Sequence, residues 1–183
     1  MLKNTIKFLT VAMLLSTGAV FAQGYSSFEY SDEKNRVTDA KNIKEAIVVG
    51  NKVGATDYSI KMDNSQTAFG NGSISQGLEV RVKQSMGPFY IGGRLGERVS
   101  SSTHFSYYAA DGGVKFPLIA GFTGDVGARY RNAFESGKDY KTTRVHTAVG
   151  YALTKQDAIA VRWSRSFGDE EKDAWRLSYT RSF

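Results

Sequence analysis

Apolar and polar side chains alternate with a period of two residues in segments that recur from residue 25 to the C-terminus. In one of them Leu78, Val80 and Val82 alternate with three charged residues. Successive side chains of a β-strand point to opposite faces, so each segment has one apolar and one polar face. Helical periodicity of comparable length is absent. The pattern predicts an all-β chain built from two-faced strands.

Ten such segments can be placed along the chain, and their connections alternate between short turns and mostly longer, more polar loops. The segments are 25–31, 43–50, 55–63, 75–84, 89–98, 105–116, 122–133, 142–153, 158–167 and 174–183. The charge run at 32–42 shows no strand pattern and predicts a loop. This layout predicts an up-and-down antiparallel β-barrel, most simply of ten strands, with eight or twelve as the alternatives.

The residues after position 22 contain no apolar stretch near 18 residues, so they cannot cross a membrane as a helix. A closed barrel needs only the lipid-facing half of each strand to be apolar. The chain is 13% aromatic and has 19 glycines but only two prolines. Aromatic girdles and tight turns use such residues. A transmembrane barrel is therefore the expected fold.

The first residues have the pattern of a secretory signal peptide. Lys3 and Lys7 precede an apolar run over 8–20, and Ala22 supplies a small residue for cleavage. We therefore expect a signal peptide at 1–22 and a single barrel domain at 23–183, in the outer membrane of a Gram-negative cell. The chain has no cysteine, so it has neither disulfides nor thiol chemistry.

The last segment carries the most specific local signal. Trp175, Leu177, Tyr179 and Phe183 share one parity at the C-terminus. This ending resembles that of bacterial outer-membrane barrel proteins, whose last strand ends in an aromatic residue, usually Phe. The resemblance implies that the barrel assembly machinery recognises these four residues, and that lipids of the outer membrane surround the barrel. Arg181 departs from the pattern, at a position where a long side chain can reach the interface.

Three segments also resemble the small monomeric, oligogalacturonate-specific porins: FEYSDEKN at 28–35, KEAIVVGNKVGATDYSIKMDNS at 44–65 and WRLSYTRSF at 175–183. The shared features are an acidic-aromatic first strand, a hairpin with a glycine-containing turn and a terminal aromatic. The resemblance implies a barrel of twelve strands with arginine tracks that select acidic oligosaccharides. The present chain is shorter and supports about ten strands.

If the aliphatic parity faces lipid, the opposite parity lines the lumen. The predicted lumen-lining basic residues are Lys61, Arg81, Lys83, Arg94, Arg98, Lys115, Arg129, Arg131, Arg144, Arg162 and Arg176. The acidic residues on the same face are Asp57, Asp63, Glu79, Asp111 and Asp125. A charge at the bilayer midplane costs about 2–4 kcal/mol, so the two faces cannot be exchanged. The lumen is expected to be cationic.

Such a lumen has two interpretations. In one, rows of arginine line a narrow path for small anionic solutes, since guanidinium groups match carboxylates and phosphates. In the other, arginine–carboxylate pairs fill the interior of a closed barrel that acts in envelope integrity or through its surface loops. The excess of basic over acidic residues favours the channel, although water and backbone carbonyls can satisfy unpaired arginines.

A surface enzyme is a third and weaker hypothesis. The only imidazoles are His104, which follows Ser100, Ser101, Ser102 and Thr103, and His146 on the predicted lumen face. A serine-rich loop is the simpler interpretation of the first, and a polar lumen residue of the second. No acidic or histidine cluster has metal-ligand spacing, and the glycine pairs lack a phosphate-loop context. We expect no catalytic residues, no metal, no cofactor and no nucleic acid partner.

Overall fold

The computed structural model describes residues 23–67, 74–138 and 140–183, and within these ranges it contains strands and no helix. The strands are β1 (Gly24–Asn35), β2 (Lys41–Val53), β3 (Thr56–Thr67), β4 (Ile74–Met86), β5 (Phe89–Ser100), β6 (His104–Pro117), β7 (Phe122–Ala133), β8 (Thr142–Ala152), β9 (Asp157–Gly168) and β10 (Lys172–Ser182). The prediction of ten strands is confirmed. The predicted signal peptide at 1–22 lies outside the described residues.

The ten strands form one closed antiparallel barrel. Each strand pairs with its neighbours in the chain, and β1 pairs with β10, placing Phe28 opposite Tyr179. The backbone N–H of Phe183 donates to the carbonyl oxygen of Gly24 at 2.8 Å. Closure leaves no strand edge unpaired, which a membrane interior requires because it offers no water to backbone groups. The predicted up-and-down barrel is confirmed.

The two ends of the barrel differ. The terminal end carries the start of β1, the end of β10 and the connections 54–55, 87–88, 118–121 and 153–156. The loop end carries the connections 36–40, 101–103, 134–141 and 169–171; residues 68–73, between β3 and β4, lie outside the described residues. The prediction of a long charged loop over 32–42 is wrong at both edges. Pairing of Asp32 with Ile43 and of Lys34 with Lys41 extends β1 and β2, leaving only 36–40 as a loop.

The two faces of the sheet are the inverse of those of a soluble protein. Large apolar side chains such as Ile47, Leu95 and Leu177 are exposed on the outer face. Charged residues such as Glu79, Arg94 and Asp125 are buried inside. An exterior of this kind is stable only in apolar surroundings, because a soluble protein rarely exposes apolar patches larger than a few hundred Å². The outer face therefore has the apolar character of the lipid-facing band of a membrane barrel.

Glycines make room for tyrosines that lie flat against the inner wall. A Cβ atom on Gly113 would lie 2.5 Å from the Tyr90 hydroxyl oxygen and 2.5 Å from the backbone oxygen of Val126. The Tyr90 hydroxyl donates to Asp125 Oδ1 at 2.9 Å, so the ring is held in place. On the neighbouring strand a Cβ atom added to Gly93 would point to the outer face and have no atom within 4 Å.

We expect Gly113→Ala to destabilise the barrel and Gly93→Ala to leave its stability unchanged. At Gly113 the methyl group meets rigid backbone, and overpacking of this kind costs about 1–3 kcal/mol. Urea unfolding of the barrel in lipid vesicles, followed by tryptophan fluorescence, measures both variants. Equal midpoints for the two variants would contradict the assignment of Gly113 as a close-packing position.

Candidate functional site

Two cavities occupy the barrel interior. The loop-end cavity has a volume of about 210 Å³, and the terminal-end cavity one of about 710 Å³. Of the predicted basic residues, the loop-end cavity is lined by Lys61, Arg98, Arg129, Arg131, Arg144 and Arg176. The terminal-end cavity is lined by Arg81, Lys83, Lys115 and Arg162, and again by Arg176. Arg94 lines neither cavity and is buried against Glu79 and Asp111.

Six further charged residues line these cavities and were missed from the sequence: Glu29, Glu33, Lys44, Lys52, Glu170 and Lys172. Four of them lie on β1 and β2, where the strand pattern was weakest, although the exposed Phe28 and Tyr30 mark the opposite parity. Glu170 lies in a turn, where parity carries no information. With Arg94 and Asp111, the described interior holds fourteen basic and eight acidic side chains, a surplus of six positive charges.

A layer of ion pairs lies between the cavities. Arg94 donates to Glu79 at 2.6 Å and to Asp111 at 2.7 Å. The side chains of these three residues are at most 8% exposed. Arg176 and Lys61 both pair with Glu29, the first at 3.1 Å. Because Arg176 lines both cavities, the layer is thinnest at this side chain.

Most of the remaining carboxylates also have basic partners. In the loop-end cavity Asp63 lies between Lys44 at 2.9 Å and Arg98 at 3.1 Å. In the terminal-end cavity Asp57 pairs with Lys83, and Asp125 with Arg162, each at 3.3 Å. Four basic residues differ, since none has a carboxylate within 4.0 Å among the described residues: Arg129, Arg144, Lys115 and Lys52. The surplus of positive charge is therefore concentrated at these four positions.

The loop 134–141 places Tyr140 in the mouth of the loop-end cavity. The ring is only 3% exposed and packs edge-on against Phe105 and Tyr107, with centroid separations of 4.6 and 5.3 Å. The Arg131 guanidinium lies 3.6 Å from the ring centroid, a cation–π contact. Burial raises the pKa of the Tyr140 hydroxyl. This hydroxyl is buried and has no hydrogen-bond partner among the described residues.

Glu170, in the connection between β9 and β10, also lines the loop-end cavity. Its carboxylate accepts a hydrogen bond from Arg131 at 2.6 Å and lies 3.7 Å from Lys172. Burial acts to raise the pKa of Glu170, but Arg131, Lys172 and Arg144 more than offset it and hold the pKa well below its usual range. Glu170 is thus ionised at neutral pH and ties the turn 169–171 to β7.

Neither histidine is arranged with a serine in the described structure. His104 is exposed on the rim and pairs with Glu97, whereas the Ser100 hydroxyl bonds with that of Thr103 at 2.9 Å. His146 lies inside, with Nε2 at 3.3 Å from Asp125 Oδ1 and 3.2 Å from the Tyr90 hydroxyl. No group of three metal-ligating side chains occurs in the part of the chain that the structure describes.

The predicted assembly signal lies on the outer face. Trp175 and Leu177 are more than half exposed, as is Phe183, and Tyr179 is exposed next to them. Arg181, the residue that departs from the pattern, lies 3.6 Å from Asp157 at the terminal end. The four residues are therefore exposed on the outer side of the barrel, on β10 and at the residue that follows it.

No protein-family model matches the chain, and no curated protein sequence does. Its fold matches solved structures instead. The translocator domain of the autotransporter NalP from Neisseria meningitidis superimposes with a TM-score of 0.54 at 9% identity, covering 99% of this chain and 95% of that one. The KdgM porin superimposes with a TM-score of 0.52 at 13% identity, covering 86% of this chain and 99% of that one. The β domain of the Bordetella autotransporter BrkA superimposes with a TM-score of 0.51 at 13% identity, covering 88% of this chain and 100% of that one.

The fold is that of an outer-membrane β-barrel. The sequence prediction of this fold is confirmed, and the fold is consistent with the predicted location in the outer membrane. At identities this low the likeness concerns the fold alone, which porins share with autotransporter translocators.

Proposed function

We propose that this chain is a narrow porin-like channel that passes small anionic solutes through its arginine-lined lumen. The observation that supports this most strongly is the surplus of six positive charges among the interior residues. In a narrow lumen with low-dielectric walls, a surplus of one sign concentrates ions of the other sign. Rings of arginine and lysine are the usual lining of anion-selective pores. No catalytic role is proposed.

The dimensions of the interior limit the solute. Lumen diameter rises with strand number, and wide aqueous channels need about 16 strands. The loop-end cavity measures only about 210 Å³. We therefore favour inorganic anions and small carboxylates over the acidic oligosaccharides that the sequence resemblance implies. In this proposal Arg176, which lines both cavities, is the side chain that must move for the two to join.

A closed structural barrel is the second candidate. The layer formed by Glu79, Arg94 and Asp111 favours it, because a buried and fully paired triad resists displacement. In that case the surface loops, rather than the lumen, would carry the function. The outward residues Trp175, Leu177, Tyr179 and Phe183 are proposed as the assembly signal under either candidate.

Planar-bilayer recordings of the purified barrel, made across a potassium chloride gradient, distinguish the two. A channel of the proposed kind gives small, steady currents and a reversal potential near that of chloride. Absence of current over many insertions would favour the closed barrel. A reversal potential near that of potassium would reject anion selectivity. Liposome swelling in acetate compared with an uncharged sugar of similar size checks the same preference without an applied voltage.

A further inference from the structure

Two arginines of the loop-end cavity face each other with no carboxylate within 4.0 Å of either among the described residues. The register of β7 and β8 places Arg129 directly opposite Arg144. Like charges directly opposite on neighbouring strands are destabilising. The barrel contains two other opposed arginine pairs, Arg81 with Arg94 and Arg162 with Arg176.

The other two pairs are neutralised by carboxylates. Arg81 and Arg94 share Asp111, at 3.7 and 2.7 Å. Arg162 pairs with Asp125 at 3.3 Å, and Arg176 with Glu29 at 3.1 Å. In these two pairs, each arginine therefore has a carboxylate oxygen within 4.0 Å. Arg129 and Arg144 are the exception among the described residues.

The hydrogen-bond partners of Arg129 and Arg144 are also incomplete. Nε of Arg144 donates to the Ser166 hydroxyl at 2.7 Å, which supplies no negative charge. Nε of Arg129 is buried and has no partner within the described structure. An unpaired buried charge costs several kcal/mol, so a folded protein keeps one only where an anion or water compensates.

The carboxylates nearest these arginines are engaged at closer range by other basic groups. Asp111, which lies opposite Arg129 in the register of β6 and β7, pairs with Arg94 at 2.7 Å. The cavity is lined by eight basic and four acidic side chains. All four carboxylates have basic partners within 4.0 Å: Asp63 and Glu79 as described, Glu170 with Arg131, and Glu33 with Lys172 at 3.8 Å. The lining is therefore left with a surplus of four positive charges, and Arg129 and Arg144 are the two arginines without a carboxylate.

The cavity has both the space and the donors for an ion. Its volume of about 210 Å³ far exceeds the roughly 10–15 Å³ that one water needs. The Tyr140 hydroxyl, on a residue only 3% exposed, lies at the same cavity and supplies another donor, one without a hydrogen-bond partner among the described residues. Guanidinium groups bind planar or tetrahedral oxyanions through paired N–H donors, which a spherical halide cannot match.

We infer that the loop-end cavity binds a compact oxyanion, a carboxylate, sulfate or phosphate group, between Arg129 and Arg144 and beneath Tyr140. The inference deepens the proposed function, on which it rests for the place of this site along the anion path. The bound ion supplies the negative charge that no carboxylate of the described residues provides within 4.0 Å of these two arginines. An anion held there exchanges with those that follow it, as multi-site conduction requires.

Thermal unfolding of the detergent-folded barrel, in sodium sulfate, phosphate or acetate against chloride at equal ionic strength, tests the site. We expect at least one oxyanion to raise the unfolding midpoint of the wild type by about 2–4 °C or more. The double variant Arg129→Gln/Arg144→Gln should lose this shift. Tyr140→Phe, which removes only the hydroxyl, should reduce it. Arg165→Gln should retain it, because Arg165 lies on the outer face and pairs with Asp173.

Two results would overturn the inference: no shift in any of the three oxyanions, or the same shift in the wild type and the double variant. The bilayer recordings test the proposed channel separately, so either experiment can give a negative result without the other. An oxyanion shift without current would mean a structural anion in a closed barrel. Anion-selective current without an oxyanion shift would mean a channel that lacks this binding site.

Discussion

Replacing Arg129 and Arg144 together with glutamate should remove most of the anion preference of the barrel. The lining of the loop-end cavity carries a surplus of four positive charges, and two charge reversals remove four. In a narrow lumen the sign of this surplus decides which ion is concentrated. The reversal potential across a potassium chloride gradient should therefore move from near that of chloride to near zero.

Arg165→Glu provides the matched control for this experiment. Arg165 is an arginine of β9 on the outer face, partly exposed and held by Asp173 at 2.7 Å. Reversing its charge changes the net charge of the chain without changing the lumen, and charges outside the pore are screened within about 10 Å at 0.1 M salt. An equal shift of reversal potential in both variants would show that surface charge, not the lumen, sets selectivity.

The architecture was predictable because a membrane barrel separates its two faces so strongly. Apolar residues at Leu78, Val80 and Val82 cannot exchange faces with their charged neighbours, so parity identifies both the strands and their orientation. The signal was weakest in β1 and β2. There the inward residues Glu29 and Glu33 belong to a segment dense in charge, and the strands were predicted too short.

The details of the candidate site were less accessible from the sequence. Parity gives the face of a residue but not its height in the barrel, so the pairing of Arg94 with Glu79 and Asp111 depends on strand register. The opposition of Arg129 and Arg144 depends on the register between β7 and β8 in the same way. Tyr140 and Glu170 come from connections, where alternation ends and tertiary contacts alone decide which side chain enters the lumen.

The pairing pattern also predicts opposite stability effects for two interior arginines, Arg94 and Arg129. Arg94→Met should destabilise the barrel strongly, because it leaves Glu79 and Asp111 buried without their shortest contacts, at 2.6 and 2.7 Å. Removing one partner of a buried ion pair typically costs about 3–5 kcal/mol. Arg129→Met should be neutral or stabilising, since it removes a half-buried interior charge that has no carboxylate within 4.0 Å among the described residues, and methionine fills much of the same volume.

Urea unfolding in lipid vesicles and the gel mobility of the folded barrel after heating measure both variants, in a buffer whose only anion is chloride. This choice matters because a bound oxyanion would stabilise the wild type and make Arg129→Met look costly. In chloride the unfolding midpoint of Arg94→Met should be lower than that of the wild type. The midpoint of Arg129→Met should equal or exceed that of the wild type. If Arg94→Met were as stable as the wild type, the layer between the cavities would be loosely paired, and the barrier to an open path would be lower than its geometry indicates.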